Sequence, residues 1–317
     1  MFDLEYAVKT IKLTKRYGSL LALDSLDLKV DQNMILVLLG PNGSGKSTFL
    51  HLISTVLKPS NGTAKVMGYD IVEQPLKVRQ VTSIAFQDPR GFWRHKPKHI
   101  LSFHASMYGI NGAERSAIVE RVMKDFDLWE SRDKKFMDLS GGQAKRLEVA
   151  KLFVHKPQLA LLDEPTAMVD LDGKRIMWDK IRELKESGCT VIVATNEVRE
   201  AEYLADRISI FAKGKEIITE SLVDLKDTIK GGDVVEMEFI PEASDSVIHA
   251  LASIPGTVSI NRISRSKLKI SVSRSEDWLP LATNYVHNMG LKLLSIRVSE
   301  PSLDDVFMNI IRTRINN

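Results

Sequence analysis

The chain has 317 residues, 44% of them hydrophobic, which is enough for two domains with substantial cores. Its 44 Lys and Arg nearly balance 41 Asp and Glu, and a net charge of +3 makes no electrostatic case for a nucleic-acid partner. The single cysteine, Cys189, excludes an intrachain disulfide framework, and no apolar run approaches the roughly 18 residues of a membrane helix, so any membrane role is expected to come from a partner chain.

The first residues, MFDLEYAVKT, lack the basic-then-apolar pattern of a signal peptide. Residues 6–17 and 22–30 read as two strands, with Leu26, Leu28 and Val30 alternating with Asp27 and Lys29. Tyr17, in Lys15-Arg16-Tyr17-Gly18, suits a stacking platform for a purine ring or an ordinary surface position. Asn33 to Leu39 (NMILVLL) predicts a strand covered on both faces, and Phe49 to Leu57 predicts an amphipathic helix.

Between them lies GPNGSGKST: Gly40, Pro41, Asn42, Gly43, Ser44, Gly45, Lys46, Ser47 and Thr48. A strand before and a helix after separate a phosphate loop from a chance match. Gly43 and Gly45 let several N–H groups point inward, and the helix adds its partial positive end. Lys46 puts a cation on β- and γ-phosphates, and Ser47 offers a hydroxyl to Mg2+.

Residues 58–71 turn into a further short strand, and Thr82 to Phe86 form another. Gln87 follows where that strand ends, a position suited to ligand contact through the metal or its water, though also to a plain loop glutamine. Arg90, Phe92, Trp93, Arg94, His95, Lys96, Lys98 and His99 form a basic, aromatic stretch, equally compatible with a solvated face and a docking surface. Ile100–Tyr108 and Arg115–Phe126 read as helices.

LSGGQ follows at Leu139 to Gln143, with Ser140 as N-cap of a helix over 144–155. Ser140, Gly141, Gly142 and Gln143 at a helix start make a second anion site by the same logic as the first. About twenty residues on, Leu159–Leu162 runs into Asp163-Glu164-Pro165. Asp163 suits a water-mediated contact to Mg2+, and Glu164 suits polarising an attacking water. A turn through Asp170, a helix carrying Ile176, Ile181 and Leu184, and a buried strand Thr190–Ala194 lead to Thr195-Asn196-Glu197. A hairpin over 208–219 closes the domain.

Residues 225–232 read as a linker ending in Gly231-Gly232. Residues 233–317 then show strand, helix, strand, strand, helix, strand, the ferredoxin-like order, with a last helix expected over 303–314.

Together, GPNGSGKST, Gln87, LSGGQ, LALLDEP and the turn to Asp170 resemble the ATP-binding cassette (ABC) ATPases over about residues 5–220. The tail around Glu300-Pro301-Ser302-Leu303-Asp304-Asp305-Val306-Phe307 is similar to that of daunorubicin-resistance-type exporter ATPases. The resemblance implies an α/β fold: an ABC-type P-loop domain over 1–224, with RecA-like core, antiparallel β subdomain and a helical subdomain over about 88–155, followed by the small α+β domain. It implies ATP and Mg2+ as ligands, Tyr17 as adenine-stacking aromatic and Gln87, Glu164 and Asn196 at the chemistry. It further implies that the loop residues, LSGGQ and Asp170 bind nucleotide and that Ser47, Gln87 and Asp163 face the metal.

It also implies a second copy or a homologous chain, paired head to tail around two ATP molecules. An integral membrane permease on a separate chain would dock residues 88–155 and hold the protein at the inner face of the cell membrane. The family usually has histidine where this chain has Asn196. An amide donates a hydrogen bond but carries no charge, so slowed hydrolysis is expected. Two other readings are an ATP-gated regulator with slow turnover and a soluble ABC protein acting on ribosomes or nucleic acid. The single cassette and weak charge speak against the latter.

Overall fold

The computed structural model describes residues 6–89, 93–228, 232–240, 242–299, 303–305, 307 and 310. Contacts divide the chain into two units, Met1–Ser221 and Leu222–Asn317. The first begins with β1 (Tyr6–Tyr17), β2 (Leu20–Leu26) and β3 (Lys29–Asp31). The expected single strand over 22–30 is broken at Asp27-Leu28. Thr10 explains the break: its hydroxyl donates to the Leu26 carbonyl at 2.8 Å and accepts from the Leu28 N–H at 2.7 Å, satisfying backbone groups the ladder would otherwise hold.

Next come β4 (Ile35–Leu39), α1 (Lys46–Ile53), β5 (Asn61–Val66) and β6 (Tyr69–Asp70). Helix α1 stops before the expected Leu57. Ser54 closes it, Thr55 turns left-handed at φ 62°, and Val56 is exposed. The antiparallel sheet β2-β1-β5-β6, with β3 also on β1, packs its buried side into one core with α1 and the central sheet through Val8, Leu23, Phe49 and Phe211. Fully burying one such side chain is worth about 1.5–3 kcal/mol.

The chain continues through α2 (Pro75–Val81), β7 (Thr82–Ala85), α3 (Pro97–Met107), α4 (Gly112–Asp125), α5 (Gly141–Ala150) and β8 (Leu159–Asp163). Then follow α6 (Leu171–Glu186), β9 (Thr190–Thr195), α7 (Val198–Leu204), β10 (Arg207–Ala212) and β11 (Lys215–Glu220). The central sheet runs β11-β10-β4-β9-β8-β7, parallel except for β11. All five residues of β4 and of β8 are buried, the pattern of strands covered on both faces. Because β4, β7, β8 and β9 are parallel, Leu39, Ala85, Asp163 and Thr195 reach the same edge of the sheet, where open α/β sheets bind ligands.

The second unit opens with α8 (Leu222–Thr228). That helix occupies residues 225–228 of the stretch read as linker; Gly231 lies outside the described residues. Then come β12 (Asp233–Ile240), α9 (Asp245–Ala252), β13 (Thr257–Arg262), β14 (Lys267–Val272), α10 (Ser275–Asn288) and β15 (Lys292–Ser299). The antiparallel order β13-β14-β12-β15 with two helices is the ferredoxin-like arrangement. Val235, Met237, Phe239, Leu268 and Ile270 face Leu251, Trp278, Ala282 and Val286 in its core. Trp278 donates from Nε1 to Thr257 Oγ1 at 2.7 Å, satisfying the one polar atom of a buried ring. Leu303–Asp305 are helical, and Asp305 pairs with Lys269 at 2.8 Å. Glu300, Pro301, Ser302 and Val306 of the tail motif, most of the expected last helix, and Arg90 and Phe92 of the basic stretch lie outside the described residues.

Candidate functional site

The turn after β4 is built on backbone that ordinary residues avoid. Gly43 and Gly45 have φ of 78° and 104°, and a Cβ at Gly45 would lie 2.6 Å from the Ala22 carbonyl. Helix α1 starts directly at Lys46, so its first N–H groups face the turn. Lys46 folds over the loop: Nζ donates to Gly40 O at 2.7 Å, Pro41 O at 3.0 Å and Ser44 Oγ at 3.4 Å. Burial pulls this ammonium below the ordinary lysine value, and the Glu164 and Asp163 charges oppose that shift.

Beside the loop lies a cleft of about 640 Å³. Tyr17, Asn42 to Thr48, Gln87 and Glu164 line it. Tyr17 is 44% exposed, with the Lys15 ammonium 5.3 Å from its ring centre. Gly40 and Pro41 serve by holding Lys46 rather than by facing the cleft.

Two acids stand at the end of β8 beside this cleft: Glu164 lines it, and Asp163 reaches it only through Ser47. Asp163 is buried and accepts from Ser47 Oγ at 2.9 Å. Desolvation raises its carboxyl above the usual range, chiefly against the Ser47 hydrogen bond. The Ser47 hydroxyl and Asp163 carboxylate form a compact oxygen pair, the donor chemistry that suits Mg2+ when phosphate oxygens complete the shell. Glu164 sits at φ 45°, a left-handed conformation costing about 1–3 kcal/mol for a non-glycine residue. Its N–H donates to the Ala194 carbonyl at 2.8 Å, and its Oε2 accepts from Gln87 Nε2 at 3.1 Å. The ends of β7, β8 and β9 thus hold one carboxylate at the cleft wall.

Asn196 follows β9 and donates from Nδ2 to Asn42 Oδ1 at 3.1 Å, touching the loop from outside the cleft lining. The LSGGQ residues and Asp170 lie elsewhere. Ser140 caps α5 by accepting from the Gln143 N–H at 3.2 Å, while the Gln143 side chain accepts from the Ser140 N–H at 3.1 Å. Asp170 caps α6 through the Gly173 N–H at 2.7 Å. Ser140, Gly141, Gly142, Gln143 and Asp170 do not line the cleft. Gly141 and Gly142 instead lie against Met168 and Val169.

Several contributors were invisible as motifs. Leu20, Leu21, Ala22 and Lys213 also line the cleft. The turn between β10 and β11 reaches it because Gly214 N–H donates to Ser44 O at 3.0 Å and Asp24 N–H to Gly214 O at 2.9 Å. Glu200, fully buried, accepts from Thr166 Oγ1 at 2.8 Å and Trp178 Nε1 at 3.0 Å, anchoring the chain just past Glu164. Its only sequence signal is an acid within an otherwise ordinary short helix.

A sequence profile for the family described as ABC transporter matches residues 23–167. The chain is similar to the daunorubicin resistance ATP-binding protein DrrA3 of Streptomyces coeruleorubidus, at 30% identity covering 93% of each chain. It is also similar to the daunorubicin/doxorubicin resistance ATP-binding protein DrrA of Streptomyces peucetius, at 31% identity over 95% of this chain and 91% of that one. Among solved structures it is similar to the dimeric post-hydrolysis state of the ATP-binding cassette MJ0796 bound to ADP and Pi. The TM-score there is 0.64 and the identity 25%, covering 68% of this chain and 98% of that one.

Proposed function

The chain belongs to the ABC transporter family, whose cassettes bind and hydrolyse ATP, and on that premise we propose that it powers an exporter whose permease is a separate membrane-spanning chain. The observation that carries this reading is the convergence of the Lys46 loop, the Ser47–Asp163 pair and the Gln87–Glu164 pair on one cleft. The triphosphate lies on the amides of residues 43–48, with Lys46 on its β- and γ-phosphates and Tyr17 against the adenine. Ser47, Asp163 and Gln87 would hold Mg2+, which would supply charge neutralisation at the phosphoryl group being transferred. Glu164 orients the attacking water and takes up its proton. Asn196 donates a hydrogen bond to the γ-phosphate without adding charge.

Ser140, Gly141, Gly142, Gln143 and Asp170 act on the nucleotide of a second chain, a copy of this one or a homologue. That none of them lines the cleft of their own chain supports this, as does the neighbouring Met168, 81% exposed, and exposed Leu171. A paired surface is a common fate for apolar residues left in the open.

Among the described residues no helix is long and apolar enough to cross a membrane. Trp93, Phe103 and Met107 are exposed large apolar side chains in the helical region, supporting a docking role for it at the inner face of the membrane. Export predicts a polytopic membrane protein that co-purifies with this chain in detergent. A chain that turns over ATP yet never joins a membrane protein contradicts export and leaves the regulatory reading.

Asn196 favours that second reading, an ATP-gated regulator with slow turnover. Asn196→His is expected to raise steady-state phosphate release on the order of tenfold, since a lost polar catalytic contact commonly costs about a hundredfold and asparagine already donates. The comparison is made at saturating Mg-ATP. Equal or lower turnover with unchanged ATP affinity means that Asn196 does not limit the rate, and the regulatory reading loses its main support.

A further inference from the structure

Lys145 lies in the middle of α5 and is 2% exposed. A buried ammonium is tolerated only when its three donors are satisfied. Here all three reach main-chain carbonyls: Phe86 O at 3.0 Å, Gln87 O at 2.7 Å and Asp163 O at 3.1 Å. The first two follow β7, and the third ends β8. One turn further along α5, Glu148 accepts from the Phe86 N–H at 3.3 Å and pairs with Lys151 at 2.6 Å. The helix therefore holds both polar groups of the residue before Gln87. Gln87 in turn donates to Glu164 at 3.1 Å.

Among the described residues, no carboxylate lies within ion-pair distance of Lys145. Burial pulls its ammonium below the ordinary value, opposed first by the charge of Glu148 and then by Asp163, Glu164 and Glu200. A lysine that served only to fill space would be better replaced by an apolar residue of the same length. Three carbonyl contacts at two strand ends give it another purpose.

We propose that Lys145 is a positioning residue that sets Gln87 against Glu164 and makes the helix starting at LSGGQ move together with the Gln87 loop. Ser140 and Gln143 close the first turn of α5 on themselves, so that turn is stiff. A displacement at the LSGGQ turn then passes along α5 to the Gln87 main chain and so to the carboxylate at the cleft wall. This role rests on the ATPase reading above.

The test is a double-mutant cycle in steady-state ATPase kinetics on the full chain: Lys145→Met, Gln87→Ala and both. Methionine keeps length and burial but donates nothing. Lys145→Met is expected to lower kcat about ten- to a hundredfold, the scale of a small misplacement at a reacting centre, with KM little changed. Because it acts through Gln87, the double variant loses no more than Gln87→Ala alone. Lys145→Arg, which keeps the charge and donors, recovers part of kcat. Losses that multiply in the double variant, or a Lys145→Met effect confined to KM or to melting temperature, overturn the role. Should Lys145→Met fail to fold, Lys145→Arg carries the same cycle, with a smaller loss that must again vanish beside Gln87→Ala. A wild-type chain that hydrolyses no ATP overturns the functional reading and this role with it. Active wild type with multiplying losses overturns this role alone.

Discussion

Glu164→Gln is expected to cut phosphate release roughly a hundred- to ten-thousand-fold while ATP still binds, the range that general-base contributions span. The carboxylate is held at the cleft wall by its own strained backbone, the Ala194 carbonyl and the Gln87 amide. Glutamine fits the same space and keeps one acceptor oxygen, so the fold and the Ser47–Asp163 pair should survive. What disappears is the basic oxygen that takes a proton from water. A chain that closes on ATP but cannot hydrolyse it should accumulate in the closed state, because closure follows from tighter binding of ATP by that state. Sedimentation with Mg-ATP should therefore show more dimer for Glu164→Gln than for wild type. No gain in dimer assigns Glu164 another role, or shows that closure does not need two copies of this chain.

Lys46→Ala is expected to weaken ATP binding by about 2–5 kcal/mol, or roughly thirty- to several-thousand-fold, the scale for removing one partner of a desolvated charged contact. Its ammonium is buried against the loop and contributes no apolar packing. The variant loses contacts to Gly40 and Pro41, so thermal denaturation must accompany calorimetry to show that the loop's host domain remains folded. Wild-type affinity in a folded Lys46→Ala chain would remove the nucleotide from this cleft.

Some of this site was legible in the sequence because its chemistry is local. The phosphate loop needs glycines at fixed spacing to adopt positive φ, and Gly43 and Gly45 do. Ser140 reads as an N-cap because a short hydroxyl before a helix has one obvious acceptor role, and the Gln143 N–H donates to it. The second unit was legible through period-two alternation, since one face of its sheet is buried and the other is not. Lys145 was not legible: beside Arg146 it looks like a solvated basic face, and only the meeting of β7 and β8 supplies its carbonyls. Lys213 escaped for the same reason, since a Lys-Gly turn acquires its place through a long-range bond from Gly214 to Ser44. The break between β2 and β3 depends on Thr10, remote in sequence from both. Nothing local to LSGGQ tells which cleft it serves.

On the proposed function, LSGGQ acts on the nucleotide of a second chain, a copy of this one or a homologue. The direct measurement mixes two defective chains. Lys46→Ala disables the phosphate loop. Gly142→Asp puts a carboxylate on the LSGGQ turn, where a new Cβ meets the Met168 carbonyl at a tolerable 3.5 Å and the added charge repels phosphate. Each chain alone should release almost no phosphate from Mg-ATP. In a mixed dimer both defects fall in one composite site, leaving the other with an intact loop from one chain and an intact LSGGQ from its partner. The mixture should therefore hydrolyse ATP well above the sum of the two chains measured separately, with activity rising as mixed dimers form. A mixture no more active than that sum, from chains shown to associate, would contradict a site shared between two copies.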